Sequence, residues 1–290
     1  MWFDGYQVIR LHSFQSELLI DPNRGMTVVS YKVDGQELVH YDHQRMVSHK
    51  TYGIPVLYPT PNRIRDKQFV FEGKRYAGVM HGCARLLSFH IIQEDEVSLT
   101  GELLFHAHTE AFALFPFLSR LSLHIELQKD GIVWEYAVQN EGTCTMPFGI
   151  ALHPFLKKQP GESFLSTSAY LAFETDADYL PTGKQLKTDY SGFVSCENLA
   201  LDTVLEDPDK PVTSSFRTGT CELTIRGSDE FRYVVLYTPL RQPFVCMEPQ
   251  SCATDSINLY NQGLCKLSGL QIVSPGEMAT GRIALTVRQR

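Results

Sequence analysis

Four short segments combine an ionisable side chain with proline or glycine, and each has a chemical use. In residues 148–155 an apolar run enters a His-Pro pair, so His153 stands at a strand end in extended backbone. Apolar and aromatic neighbours there depress an imidazole pKa by desolvation. In residues 244–249 the carboxylate of Glu248 follows an apolar strand and precedes a proline. Such a carboxylate must be paired, hydrogen-bonded or raised in pKa, and a base poised near neutrality is one use of that placement. Tyr58-Pro59-Thr60-Pro61-Asn62-Arg63-Ile64 holds Arg63 in a loop stiffened by two prolines. Met80-His81-Gly82 sets an imidazole beside a residue that lets backbone approach a ligand closely. Asp202, within Leu199-Ala200-Leu201-Asp202-Thr203, is a less specific acid in a loop-like stretch. Each feature alone has a plain alternative: a satisfied core histidine, a capping glutamate, a structural ion pair. Together they give a His/Glu acid–base pair and an arginine, a set that fits sugar chemistry without identifying it.

Other chemistries lack their motifs. There is no G-x-G-x-x-G, Walker A loop, G-x-S-x-G elbow or H-E-x-x-H. His106-Ala107-His108 reads as a strand-like His-x-His whose alternation puts both rings, and Glu110, on one face. No third ligand at metal spacing is evident, and a solvated strand face near a loop outweighs the metal reading. Neither a metal nor any other cofactor is assigned.

The elements that must position these residues repeat with period 2. Leu121, Leu123, Ile125 and Leu127 alternate with polar residues; after Lys129-Asp130-Gly131 the same pattern continues through Ile132, Trp134, Tyr136 and Val138. Asp34-Gly35 and Glu72-Gly73 mark further hairpins, between Thr27–Val33 and residues 37–41, and between Gln68–Phe71 and residues 74–76. Residues 222–226, 233–237, 244–247 and 283–287 add strands. Residues 206–215 read as a loop, and only residues 258–264 as a helical turn or two. Strands without intervening helices predict an all-β, mainly antiparallel sandwich or barrel. With no repeat and no linker-like composition shift, residues 1–290 are expected to form a single domain.

Composition narrows the partners. The 26 Lys+Arg against 33 Asp+Glu give a net charge of −7, which argues against nucleic acid as the main partner. At 43% hydrophobic residues the chain is globular in composition rather than disordered. No run approaches the ~18 apolar residues of a membrane span. The N-terminal residues lack the basic and apolar regions of a secretory signal. Seven scattered cysteines, an odd number with no C-x-x-C pair, imply neither a disulfide framework nor a zinc ribbon. These features predict a reduced, cytoplasmic protein with no membrane partner; they leave its oligomeric state open.

In order along the chain, Gly53-Ile54-Pro55-Val56-Leu57-Tyr58-Pro59, Pro61-Asn62-Arg63-Ile64, Phe69-x-Phe71-x-Gly73-x-x-Tyr76, His81-Gly82, Gly149-x-x-x-His153-Pro154-Phe155 and Glu248-Pro249 resemble the aldose 1-epimerase (galactose mutarotase) family. Asn258 also fits. The resemblance implies a large antiparallel β-sandwich of the galactose mutarotase-like type with an open sugar cleft. It implies interconversion of the α and β anomers of a monosaccharide. Glu248 matches the base that takes the anomeric hydroxyl proton, and His153 the acid that protonates the ring oxygen. Arg63 and His81 match residues that hold and polarise the sugar, and Asp202 an acid that binds its hydroxyls. Phe155 and Tyr237 are candidates to cover the sugar's apolar face. Many members carry aromatics after His-Gly and Glu-Pro, where this chain has Cys83-Ala84-Arg85 and Gln250. The particular sugar therefore does not follow from the resemblance. One alternative is a hexose-6-phosphate mutarotase, for which Arg65, Lys67, Arg85 and Lys157 would have to converge on a phosphate. The other is a catalytically inactive carbohydrate-binding protein, which would have no need of both Glu248 and His153.

Overall fold

The structure is a computed structural model that describes residues 1–13 and 15–290. About 49% of residues lie in strands and 9% in helices, as the period-2 pattern predicts. The longest alternating run becomes the hairpin Ser119–Gln128 and Gly131–Asn140, whose ten-residue strands bury every second side chain of the first. Its turn is Lys129-Asp130. Asp34-Gly35 and Glu72-Gly73 adopt positive φ at both positions, the twist-matched geometry of two-residue hairpins.

Two large sheets dominate. A nine-stranded sheet has Gly131–Asn140, the C-terminal strand Met278–Gln289 and Cys221–Gly227 at its centre. An eight-stranded sheet includes, as hydrogen-bonded neighbours, Asp202–Glu206, Tyr233–Tyr237, Phe244–Gln250, Ala151–Leu152 and Val56–Leu57; Phe155–Lys157 also pairs with Phe244–Gln250. Facing rows of apolar residues, Leu121, Leu123 and Ile125 from one sheet and Leu205, Leu236, Val245 and Met247 from the other, belong to one core that runs from Leu11 to Val287. Burying a Leu or Ile side chain contributes roughly 1.5–3 kcal/mol, so this shared row holds the two sheets face to face.

The alternation also decides which side chains face away from that core. Along Phe244–Gln250, Val245 and Met247 point into it, while Phe244 and Cys246 join a separate small cluster with Phe155 and Tyr237. Glu248 falls on the Phe244/Cys246 face. Val235 lies opposite Glu248 in the ladder, and Asp202 lies opposite Tyr237. The outer face of the eight-stranded sheet therefore carries Asp202, Val235, Tyr237 and Glu248 side by side.

Two readings are corrected here. Asp202 is the first residue of a strand, Asp202–Glu206, and not part of a loop. The strand Ser98–Phe105 ends at Phe105, so His106-Ala107-His108 forms a turn, with His108 at φ 74°, and His106 Nε2 meets Glu141 Oε2 at 2.5 Å. The two imidazoles do not share a strand face, because the residues have left the ladder. Helix is confined to short segments such as Ser256–Asn261, which overlaps the expected stretch 258–264, and Cys265–Ser268, which lies just beyond it. Among the described residues no helix is long and apolar enough to cross a membrane.

Candidate active site

Three backbone connections bring distant segments to the outer face of the eight-stranded sheet. Gly149 N–H donates to Pro59 O (2.7 Å), His153 N–H to Pro55 O (3.1 Å) and Phe155 N–H to Gly53 O (2.8 Å), fixing residues 149–155 along residues 53–59. Cys246 pairs with Phe155, which sets the His153 end of that segment beside the Glu248 strand. Residues 58–63 and 79–84 are then laced together. Thr60 Oγ1 donates to Val79 O (3.0 Å), His81 N–H to Asn62 O (2.8 Å) and Ala84 N–H to Tyr58 O (3.1 Å). Gly82 bridges Tyr58 directly.

The result is a cleft of about 170 Å³ lined by Arg45, Thr51, Asn62, Arg63, Met80, His81, His153, Asp202, Val235, Tyr237 and Glu248. This is small beside the ~300–1,000 Å³ of sites for drug-sized ligands, and suits a single small ring. All five candidate residues meet there. Three larger hollows, about 730, 570 and 300 Å³, lie elsewhere; the first two carry surface pairs such as Arg10–Glu17 and Arg282–Glu135, and the third is lined by Arg85.

At the centre, His153 Nε2 and Glu248 Oε1 are 3.2 Å apart, with the two residues only 5% and 2% exposed. Gln250 Nε2 donates to the other Glu248 oxygen at 3.2 Å. Burial holds the Glu248 carboxyl well above its ordinary range, against the opposing pull of the Gln250 hydrogen bond. Burial also holds His153 well below the ordinary imidazole range, and the nearby His81 and Arg45 push it the same way. Burial thus works against charge on both partners and favours a carboxylic acid beside a neutral imidazole. The His153 ring stacks on Phe155 at 4.7 Å and 9° and faces His81 edge-on at 5.4 Å. His81 is driven by burial to about 3, so it too is neutral, and its Nδ1 is buried without a hydrogen-bond partner among the described residues.

Arg63 lines the same cleft. Its Nη2 donates to Asp202 Oδ2 at 2.8 Å, its Nη1 reaches Asp202 Oδ1 at 3.5 Å and Asn62 Oδ1 at 3.4 Å, and Tyr179 lies over its guanidinium at 4.9 Å. Arg63, from the loop 58–63, and Asp202, from the strand Asp202–Glu206, thus present a matched charge pair.

Several expectations meet a different placement. Phe155 is fully buried behind His153 and supports that ring instead of facing the cleft; of the two aromatic candidates Tyr237 lines it. None of Arg65, Lys67, Arg85 and Lys157 lines the cleft. Arg65 pairs with Asp176 at 2.7 Å, and Arg85 faces an adjacent hollow. Asn258 ties Gln68 O and Asp255 together and serves the fold. Arg45, Thr51, Asn62 and Met80 were not singled out by sequence. Asn62 is at φ 63° beside Arg63, in a motif that was read for the arginine alone.

The fold and cleft define an all-β sandwich with a buried acid–base pair on the outer face of one sheet. A family model for aldose 1-epimerase matches residues 7–286, and the chain belongs to that family. Its sequence is 26% identical to the uncharacterized protein YihR of Escherichia coli K12 over 167 residues, 52% of this chain and 53% of that one. The chain thus spans about half the length of that relative. Among solved structures, the galactose mutarotase-like protein of Clostridium acetobutylicum matches with TM-score 0.86 and 20% identity over 100% of this chain and 97% of that one. The Slr1438 protein of Synechocystis matches with TM-score 0.83 and 23% identity over the whole of both chains. At such identities the likeness is one of fold.

Proposed function

We propose that the protein is an aldose 1-epimerase that interconverts the α and β anomers of a monosaccharide by general acid–base ring opening and closure. The observation that carries this reading is the buried His153–Glu248 contact at 3.2 Å, placed in a ring-sized cleft that Arg63 also lines. Both oxygens that exchange protons in mutarotation, the anomeric hydroxyl and the ring oxygen, are bonded to one carbon. The acid and the base must therefore be neighbours, as these two are, rather than stand on opposite sides of the substrate.

The pair holds one transferable proton. Moving it from Glu248 to His153 turns acid and neutral imidazole into carboxylate and imidazolium, and hydroxyls of a bound sugar donating to the carboxylate favour that form. Glu248 then takes the anomeric hydroxyl proton while His153 protonates the ring oxygen. The C1–ring oxygen bond breaks to give the free aldehyde, and rotation about C1–C2 presents the other face. Closure returns both protons. Arg63, fixed by Asp202, hydrogen-bonds the sugar near its ring oxygen, and neutral His81 serves a hydroxyl. Tyr237 offers an aromatic wall, and no step needs a metal or nucleotide.

Glu248→Gln keeps the shape and removes the base; His153→Asn removes the acid. Each should lower kcat by about 10²–10⁴-fold after subtraction of spontaneous mutarotation. The double variant should fall short of the product of the single effects, since both groups act in one proton-transfer step. Thermal melting should show Glu248→Gln folded with unchanged or raised Tm, because it replaces a buried carboxyl that is costly to ionise. Retention of near-wild-type turnover by folded Glu248→Gln would remove Glu248 from the role and make Asp202 the base to test. A lectin-like reading requires that sugar bind while wild-type protein leaves anomer exchange at its spontaneous rate.

A further inference from the structure

We infer that the sugar this cleft takes carries an oxyanion, a carboxylate or a phosphate, on a carbon away from C1, and that Arg45 receives it. The inference rests on the mutarotase reading and names its substrate class.

Charge in the cleft is unevenly matched. Arg63 is balanced by Asp202 at 2.8 Å. Arg45, in the short helix His43–Val47, also lines the cleft and has no carboxylate in ion-pair contact among the described residues. Asp42 is close in sequence, but it accepts from the Arg45 amide as the helix N-cap. The Arg45 guanidinium is braced without being neutralised. Its Nε donates to Thr51 O at 2.6 Å and its Nη2 to Thr51 Oγ1 at 3.4 Å. It stands 4.9 Å from the Phe155 ring centre, which fixes its plane against the residue that supports His153. Nη1 makes no hydrogen bond to the described protein and belongs to a residue that lines the cleft.

Arg85 repeats the pattern on the same side. Its Nη1 donates to His49 O at 2.8 Å, and among the described residues its Nε is buried without a partner and no carboxylate pairs with it. Residues 49 and 51 thus supply carbonyls to two guanidiniums, and Lys50 between them lines the hollow next to Arg85. Partly buried like charges repel and lose hydration, and natural structures pair them or reserve them for an anion. The carbonyl braces aim these groups but add no counter-charge. Arg45 is the one of the two that reaches the cleft, and it offers the free donors that a planar guanidinium uses for carboxylate or phosphate.

The test compares catalysed anomer exchange, measured by NMR, for D-glucuronate, D-galacturonate and D-glucose 6-phosphate against D-glucose and D-galactose. Wild type should show kcat/KM at least about tenfold higher for one acidic sugar than for its neutral parent, since a charge-assisted contact is worth roughly ten- to hundredfold in binding. The uronates and the 6-phosphate separate a carboxylate site from a phosphate site. Arg45→Gln should collapse the acid-to-neutral ratio, Arg45→Lys should retain most of it, and added salt should raise KM for the acidic sugar more than for the neutral one. Thermal melting checks that both variants are folded. Equal use of acidic and neutral sugars by wild type, or an equal loss on both in Arg45→Gln, overturns the inference and leaves the mutarotase reading standing. If no sugar exchanges faster than spontaneously, that reading falls, and equilibrium titration decides the inference separately. Tighter binding of an acidic sugar that Arg45→Gln abolishes upholds it; indifferent binding ends it.

Discussion

Glu248 and His153 lie 3.2 Å apart and almost fully buried, so they titrate as one unit and any pH profile reports the pair. Ordinary values of 4.5 and 6.5 would confine the one-proton state to a narrow acidic window. Burial moves the two in opposite senses: the carboxyl keeps its proton to higher pH, and the imidazole refuses a second one until lower pH. Activity is therefore expected to hold over a wider pH range than the ordinary values would allow. It should fall on the acid side below the usual imidazole range and on the alkaline side well above the usual carboxylate range. Measured kcat/KM against pH checks this, and a profile confined to the narrow window between 4.5 and 6.5 would contradict it. The environment of both residues was legible in the sequence, since an apolar strand entering proline leaves an ionisable group at a buried end. Arg45 was not legible. It follows Asp42-His43-Gln44 in a short helix, and long-range pairing of residues 38–40 and Gly53 with residues 155–157 brings that helix to the cleft.

The elements that aim the site are two loops fastened to each other, 58–63 and 79–84. Their closest approach is at Gly82, where φ is +71° and a Cβ would come within 2.1 Å of Tyr58 O. Gly82→Ala should therefore destabilise the fold by about 2–4 kcal/mol, combining left-handed strain with backbone overpacking. It should also weaken substrate binding by displacing His81. Chemical denaturation with a KM measurement checks both, and a stable variant of unchanged KM would show that the two loops tolerate separation. Hairpins were legible because Asp-Gly and Glu-Gly fix two-residue turns locally. Asp202 was misread because a single acid after an apolar triplet gives no period; the strand Tyr233–Tyr237 imposes the ladder from outside. His106 and His108 failed for the converse reason. Their local alternation continues a strand that the Thr109-capped helix Glu110–Leu114 cuts short.

At the scale of the molecule, one sheet serves the other as support. The eight-stranded sheet buries one face in the core shared with the nine-stranded sheet and turns the catalytic candidates outward, so strand alternation alone separates packing from chemistry. A core continuous from Leu11 to Val287 predicts that the cleft and the distal strands unfold together. Tryptophan fluorescence, dominated by buried Trp134 in the nine-stranded sheet, and loss of sugar binding should give coincident denaturation curves. Loss of binding well before the fluorescence change would place the cleft in a separate unit. The all-β class was legible because period 2 is a local signal, whereas the face-to-face pairing of the sheets depends on contacts between residues more than a hundred positions apart. The central claim is that this cleft opens and closes a sugar ring. NMR exchange between the anomeric signals of a panel of neutral and acidic monosaccharides, recorded at increasing protein concentration, tests it most directly. The account predicts, for at least one sugar, an exchange rate that rises in proportion to wild-type protein and returns nearly to the spontaneous rate with Glu248→Gln. Exchange that stays at the spontaneous rate for every sugar, with the protein folded, would contradict it.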